Sequence, residues 1–96
     1  MFVLVSRVEL HLPASRSLKA KRSVVGSLVR RIDQMHGAGC AEVDHQDLWQ
    51  RSALGVTTVA ATVGQVEKLM DSIERLIWSR SEVEVLDIRR SWWEDE

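Results

Sequence analysis

The hydrophobic period of this chain switches between two and 3.6 along its length, and few folds accept the resulting order. Phe2 to Leu12 alternates: Phe2, Leu4, Val8, Leu10 and Leu12 fall on one face, with Ser6 breaking the set. Val3, Val5, Arg7, Glu9 and His11 fall on the other. A period of two sustained this long defines a strand with one buried face. Pro13 ends it, because proline brings no N–H to a ladder. Leu18, Val25, Leu28, Val29, Ile32 and Met35 then recur at helical spacing, with Ser17 placed as the N-cap. Lys21 falls on the apolar stripe itself, so to stay hydrated it must reach over the sheet edge. Gly37 and Gly39 stop the helix by supplying positive φ.

The second half repeats the alternation of periods. Cys40–Asp44 is a short strand in which Ala41 and Val43 face one way, Glu42 and Asp44 the other. Ala53–Ala61 is a third strand, rich in Val and Thr and free of charge, which predicts an interior place in the sheet. Val66, Leu69, Met70, Ile73, Leu76 and Ile77 mark a second amphipathic helix capped near Thr62, with Asp71 and Arg75 at i,i+4. Glu82–Arg89 is a fourth strand; Val83, Val85, Leu86 and Ile88 do not keep one face, which a bulge or a position buried on both faces would explain. The order βαββαβ, with right-handed crossovers, predicts an α+β chain. Its architecture is a ferredoxin-like sandwich with antiparallel sheet order 4-1-3-2 and two helices on one face.

Ninety-six residues read as one domain. A single cysteine excludes an internal disulfide, and the longest uncharged run, Ser52–Val66, is too short and polar to span a bilayer. With no leader pattern, a cytoplasmic protein without membrane partners is expected. Net charge is −1, but residues 1–51 carry +3 and residues 52–96 carry −4. No acid lies between Glu9 and Asp33, where Arg16, Lys19, Lys21, Arg22, Arg30 and Arg31 are found, and Glu94-Asp95-Glu96 closes the chain.

Three stretches hold chemistry. Lys19, Lys21, Arg22, Arg30 and Arg31 form an acid-free basic helix that fits RNA phosphate, although a solvated cationic face has the same composition. Ala41 to Arg51 gathers Glu42, Asp44, His45, Gln46, Asp47, Trp49 and Arg51. Read as chemistry, Asp44, His45 and Asp47 are a small metal or acid–base site. Strand parity speaks against that, because it turns His45 away from Glu42 and Asp44. Read as structure, Asp44 and Asp47 cap a single turn and Trp49 inserts into the end of the core, leaving a partner surface or structural turn. Third, Val3, Val5, Thr57 and Val59 make a weakly polar open sheet face suited to a homodimer. They also take the positions where an RNA-recognition sheet carries stacking aromatics, so that mode is excluded. There is no Gly-rich phosphate loop, no CxxC and no HExxH, so no cofactor and no catalytic set are expected.

Several runs together resemble one family of small bacterial proteins, the domain-of-unknown-function 503 (DUF503), YlxP-like group. They are Leu12-Pro13, Ser17-Leu18-Lys19-Ala20-Lys21-Arg22, Ala41 through Arg51, Leu54-Gly55, and Leu86-Asp87-Ile88-Arg89-Arg90 before Trp92. The resemblance covers essentially the whole chain. It implies a ferredoxin-like fold in a cytoplasmic protein and supplies no activity. The family's genes often lie near those of translation initiation and ribosome maturation factors, including ribosome-binding factor A. That implies, by association, ribosomal RNA or the ribosome as partner. The leading expectation is a non-catalytic RNA- or ribosome-associated protein, the next a homodimeric interaction module.

Overall fold

In the computed structural model, which describes residues 1–93, strands β1 (Phe2–His11), β2 (Ala38–Asp44), β3 (Arg51–Ala60) and β4 (Glu84–Trp93) form one sheet. Helices α1 (Leu18–Asp33) and α2 (Val63–Trp78) follow β1 and β3. The sheet order is β2-β3-β1-β4 with every neighbouring pair antiparallel, which is the predicted order read from the other edge. Beyond Arg51 at its start β3 carries no charge, and it is interior, as the composition of residues 53–61 predicted.

The alternation of β1 holds from Leu4 onward, while Phe2 at the strand's start is exposed. Leu4, Val8 and Leu10 are buried under the helices with Ser6 among them, and the loop residue Leu12 joins them. α1 contributes Val25, Leu28 and Ile32 to the same core, and α2 contributes Val66, Met70, Ile73 and Ile77. Each such side chain stabilises the fold by about 1.5–3 kcal/mol through removal from water. Ser17 caps α1 by accepting the Ala20 N–H at 3.0 Å, and Thr62 caps α2 by accepting the Gln65 N–H at 3.2 Å. Past the end of α1, Gly37 takes φ of 87°, and a Cβ there would meet the Val59 carbonyl oxygen at 2.8 Å. Both facts exclude other residues.

Two irregularities set which side chains face which way. Opposite Glu9 and Leu10, β4 slips register at Leu86, so Val85 and Ile88 both pack on the core although three residues apart. β2 slips between Glu42 and Asp44. The Asp71–Arg75 helix pair does not form. Asp71 instead accepts from Arg90 of β4 at 2.7 Å, and Glu74 accepts two further bonds from the same guanidinium at 2.8 Å. That fork fastens α2 to the edge strand. The acidic Glu94–Glu96 lies outside the described residues.

Candidate functional site

The β2–β3 connection, residues 45–50, is tied to the fold from both sides, and the β2 bulge organises it. Before the bulge, Glu42 pairs with Leu54 and points toward the helices, where Ser52 Oγ donates to it at 2.6 Å. After it, Asp44 pairs with Ala53 and lies on the open face, accepting from Arg7 at 3.0 Å. The extra residue, Val43, lies over Gly55, where an added Cβ would come within 2.8 Å of its methyl. The strand-parity expectation is therefore corrected. Glu42 and Asp44 do not share a face, because a bulge shifts the side-chain phase by one residue.

On the open face the bulge assembles a charge cluster centred on Glu9. Its carboxylate accepts from Arg7 at 2.9 and 3.1 Å and from Arg51 at 3.1 Å, and lies 3.0 Å from His45 Nε2. His45 reaches it by adopting φ of 62°, and its own N–H donates to Asp44 at 2.7 Å. Burial pushes the Glu9 carboxyl up, but the bonds from Arg7, Arg51 and His45 outweigh this and hold it below its ordinary range. The Asp44 carboxyl is also lowered, first by the His45 backbone N–H and then by Arg7. Arg7 and Glu9, on β1, belong to this cluster and were not singled out from the sequence. Charged residues at odd positions of a half-buried strand were the available signal. The guanidinium groups occupy the carboxylates, and among the described residues no group of three or more His, Cys, Asp or Glu is placed to hold a metal ion.

On the helix side the connection is held by Lys21. Its ammonium donates to the carbonyls of His45 at 2.6 Å, Gln46 at 3.0 Å and Arg51 at 3.3 Å, and lies 3.3 Å from Glu42. The side chain is buried, so the expectation that Lys21 contacts phosphate is corrected. Its place on the apolar stripe leads it under the connection, and the carbonyls replace the water it would otherwise need. Gln50 adds a second tie, donating to the carbonyls of Pro13 and Ser15 at 3.2 Å each, while the Leu12 N–H donates to the Gln50 carbonyl at 2.9 Å.

With its main chain pinned from below, the connection turns its side chains outward. Gln46 and Asp47 are exposed, and Leu48 and Trp49 keep 49% and 55% of their surface in water. Trp49 is thus not a core anchor as expected: the main-chain ties already close this end of the core. The turn is closed by the Leu48 N–H on the His45 carbonyl at 3.1 Å. Lys21 and Gln50 set this tip beside the start of α1, where Arg16, Lys19 and Arg22 are exposed. Arg30 and Arg31 are exposed at the other end of α1, about 16 Å further along the helix axis at its standard rise. The exposed basic residues therefore fall at the two ends of α1, and the connection is tied to the first of them.

The helix-free face holds a shallow trough of about 590 Å³, floored by Gly39, Ala41 and Gly55 and walled by Val5, Val43 and Thr57. Of the four residues expected there, Val5 and Thr57 line it, while Val3 and Val59 lie further along the same face.

These features define a small α+β protein whose elaborated surface is a pinned loop beside a cationic helix start. The chain belongs to the DUF503 family: the family described as "Protein of unknown function (DUF503)" matches residues 3–90. A similar protein is "Uncharacterized protein YlxP" of Bacillus subtilis (strain 168), 31% identical over 77 residues, covering 80% of this chain and 84% of that one. No helix among the described residues is long and apolar enough to cross a membrane.

Proposed function

We propose that the chain is a ferredoxin-like, non-catalytic RNA-binding protein of the cytoplasm that associates with ribosomal RNA during ribosome assembly or translation. The observation supporting this reading is the Lys21 clamp, which ties the connection that bears the exposed Trp49 to the first turn of α1, where Arg16, Lys19 and Arg22 are exposed. Cations there neutralise phosphate, and an indole face stacks on an unpaired base, which is how single-stranded RNA is held without an aromatic sheet. Arg30 and Arg31 lie too far along α1 to share one short contact. Three phosphate contacts imply a salt slope of about −2 on single-stranded RNA.

The test is binding of a single-stranded RNA oligonucleotide and of ribosomal subunits, at low and raised salt. Trp49→Ala and an Arg16/Lys19/Arg22 alanine variant should each weaken binding at least tenfold, and an Arg30/Arg31 alanine variant should leave it near wild type. Failure of the wild type to bind either partner at low salt ends the proposal. The trough favours a second reading, a homodimeric interaction module using the open face. Val5→Glu or Val59→Glu would then yield folded monomers.

A further inference from the structure

The two edges of the sheet are finished differently. β2 lies beside α1, and the Asp33 carboxylate takes the Cys40 N–H at 2.7 Å. That side chain blunts the strand as a template for further pairing. β4 is paired on one side only, with β1. It also carries Trp92 and Trp93, 44% and 51% exposed, beside an Arg89 side chain that is 81% exposed. Uncovered edge strands with large apolar side chains recruit another strand.

The sequence of that edge names the partner. Arg89-Arg90-Ser91-Trp92-Trp93 is complementary to itself when read backwards. We propose that a second copy of this chain docks antiparallel along β4, on a two-fold axis through Ser91, joining the two sheets into one. In this register Arg89 faces the partner subunit's Trp93, and Arg90 faces the partner subunit's Trp92. Each pair recurs across the axis, as an isologous contact requires. The faces agree as well. Arg89 and Trp93 pair with Arg7 and Val3 of β1 and lie on the open side, while Arg90 and Trp92 pair with Ser6 and Leu4 on the helix side. Each guanidinium thus meets an indole on its own face of the sheet, the cross-strand geometry that favours cation–π contact. Arg90 is pre-oriented for it, since Glu74 and Asp71 already fix the plane of its guanidinium.

Registers shifted toward Ile88 are worse. Centring the axis on Arg89 or Arg90 sets like charges against each other. Centring it on Ile88 brings Asp87 onto Arg89 but runs the pairing into the irregularity at Leu86. The inference stands apart from the RNA reading and assigns a second copy to the edge instead of the open face.

The experiment is sedimentation equilibrium of the full chain at micromolar concentration, with circular dichroism to confirm folding. Wild type should sediment at the mass of two chains. Trp93→Arg should sediment as one, since arginine then opposes arginine on both sides of the axis, and Ser91→Lys should do the same through two ammonium groups on the axis. Mixing Trp93→Arg with equimolar Arg89→Trp should remove the one-chain species, because every arginine again meets an indole. A one-chain wild type overturns the proposal. So does a two-chain mass that persists in both variants, or a mixture in which the one-chain species remains. If the two-chain mass persists in both variants and is lost in Val59→Glu, the second copy sits on the open face.

Discussion

Replacing Lys21 with methionine keeps the length and most of the apolar stem of the side chain and removes only the ammonium. The wild-type group donates to three carbonyls and lies 3.3 Å from Glu42. The carbonyls of His45 and Gln46 sit in a surface turn and can find water after a small shift. The Glu42 carboxylate keeps its bond from Ser52 but loses its countercharge. Each buried polar group left without a partner costs about 1–3 kcal/mol. Truncating one member of a buried ion pair costs about 3–5 kcal/mol. Methionine recovers apolar contact, so a net loss of about 3 kcal/mol is expected, a large share of a domain's usual ~5–15 kcal/mol. At a urea slope near 1–1.5 kcal/mol per molar, the unfolding midpoint falls by about 2–3 M. Urea titration followed by tryptophan fluorescence reads that shift, and hydrogen exchange reads its location. Residues 45–51 should lose protection before the sheet does, because the clamp acts there. A midpoint shift under about 0.5 M, with exchange of the connection unchanged, refutes the reasoning. A double-mutant cycle with Glu42→Gln should show coupling of about 1 kcal/mol or more.

Two further predictions concern titration. The Glu9 carboxyl sits below its ordinary 4.5 in the folded chain. Its stabilising contribution is therefore complete above that ordinary value and is lost as pH falls through the lower folded one. Glu9→Gln should be less stable than wild type at neutral pH, and thermal melts should converge below the folded titration; a gap persisting at low pH would contradict this. The Cys40 thiol is pushed up to about 12 by burial and then by Asp33, so its thiolate is scarce at pH 8. Labelling by a disulfide reagent should run at least a hundredfold slower than for a free thiol and become fast in urea; equal rates without denaturant would disprove it.

Most of the fold could be read from periodicity. The alternation of β1, the apolar stripes of both helices, the caps at Ser17 and Thr62 and the stop at Gly37 are local, and local rules found them. The lack of charge beyond Arg51 located β3 inside the sheet, because its helix side is buried and its open side is built of small and apolar residues. What escaped was every feature depending on a register slip or a distant partner. The bulge at Val43 has no strong local mark, so parity reasoning placed Asp44 on the wrong side. Lys21 looked like a surface cation because its carbonyl partners lie 24 to 30 residues away in sequence. Trp49 was read as buried on size alone, yet main-chain ties already close that end of the core. Asp71 was assigned the neighbour four residues on, while Arg90 of β4, held bidentately by Glu74, donates to it instead. Comparison placed the chain in the family that its motifs resembled. Family membership speaks to fold, and leaves function to rest on the surface chemistry described above.

The bulge also has a consequence for how this chain tolerates change in length. Residues before Val43 and residues after it are out of phase by one position, much as two reading frames are. Removing Val43 would bring the strand back into a regular alternation, which ordinarily favours a sheet. Here it would leave Glu42 opposite Leu54 and Asp44 opposite Ala53, on the faces they already occupy, and would take away only the methyls that lie over Gly55. Inserting a residue into the 45–50 segment would leave that phase intact and would strain only the ties of Lys21 and Gln50. The bulge and the tip are therefore places where the length of this hairpin can change by one residue without turning a side chain to the other face. The segment that tolerates added length is the exposed tip, where a new side chain meets solvent.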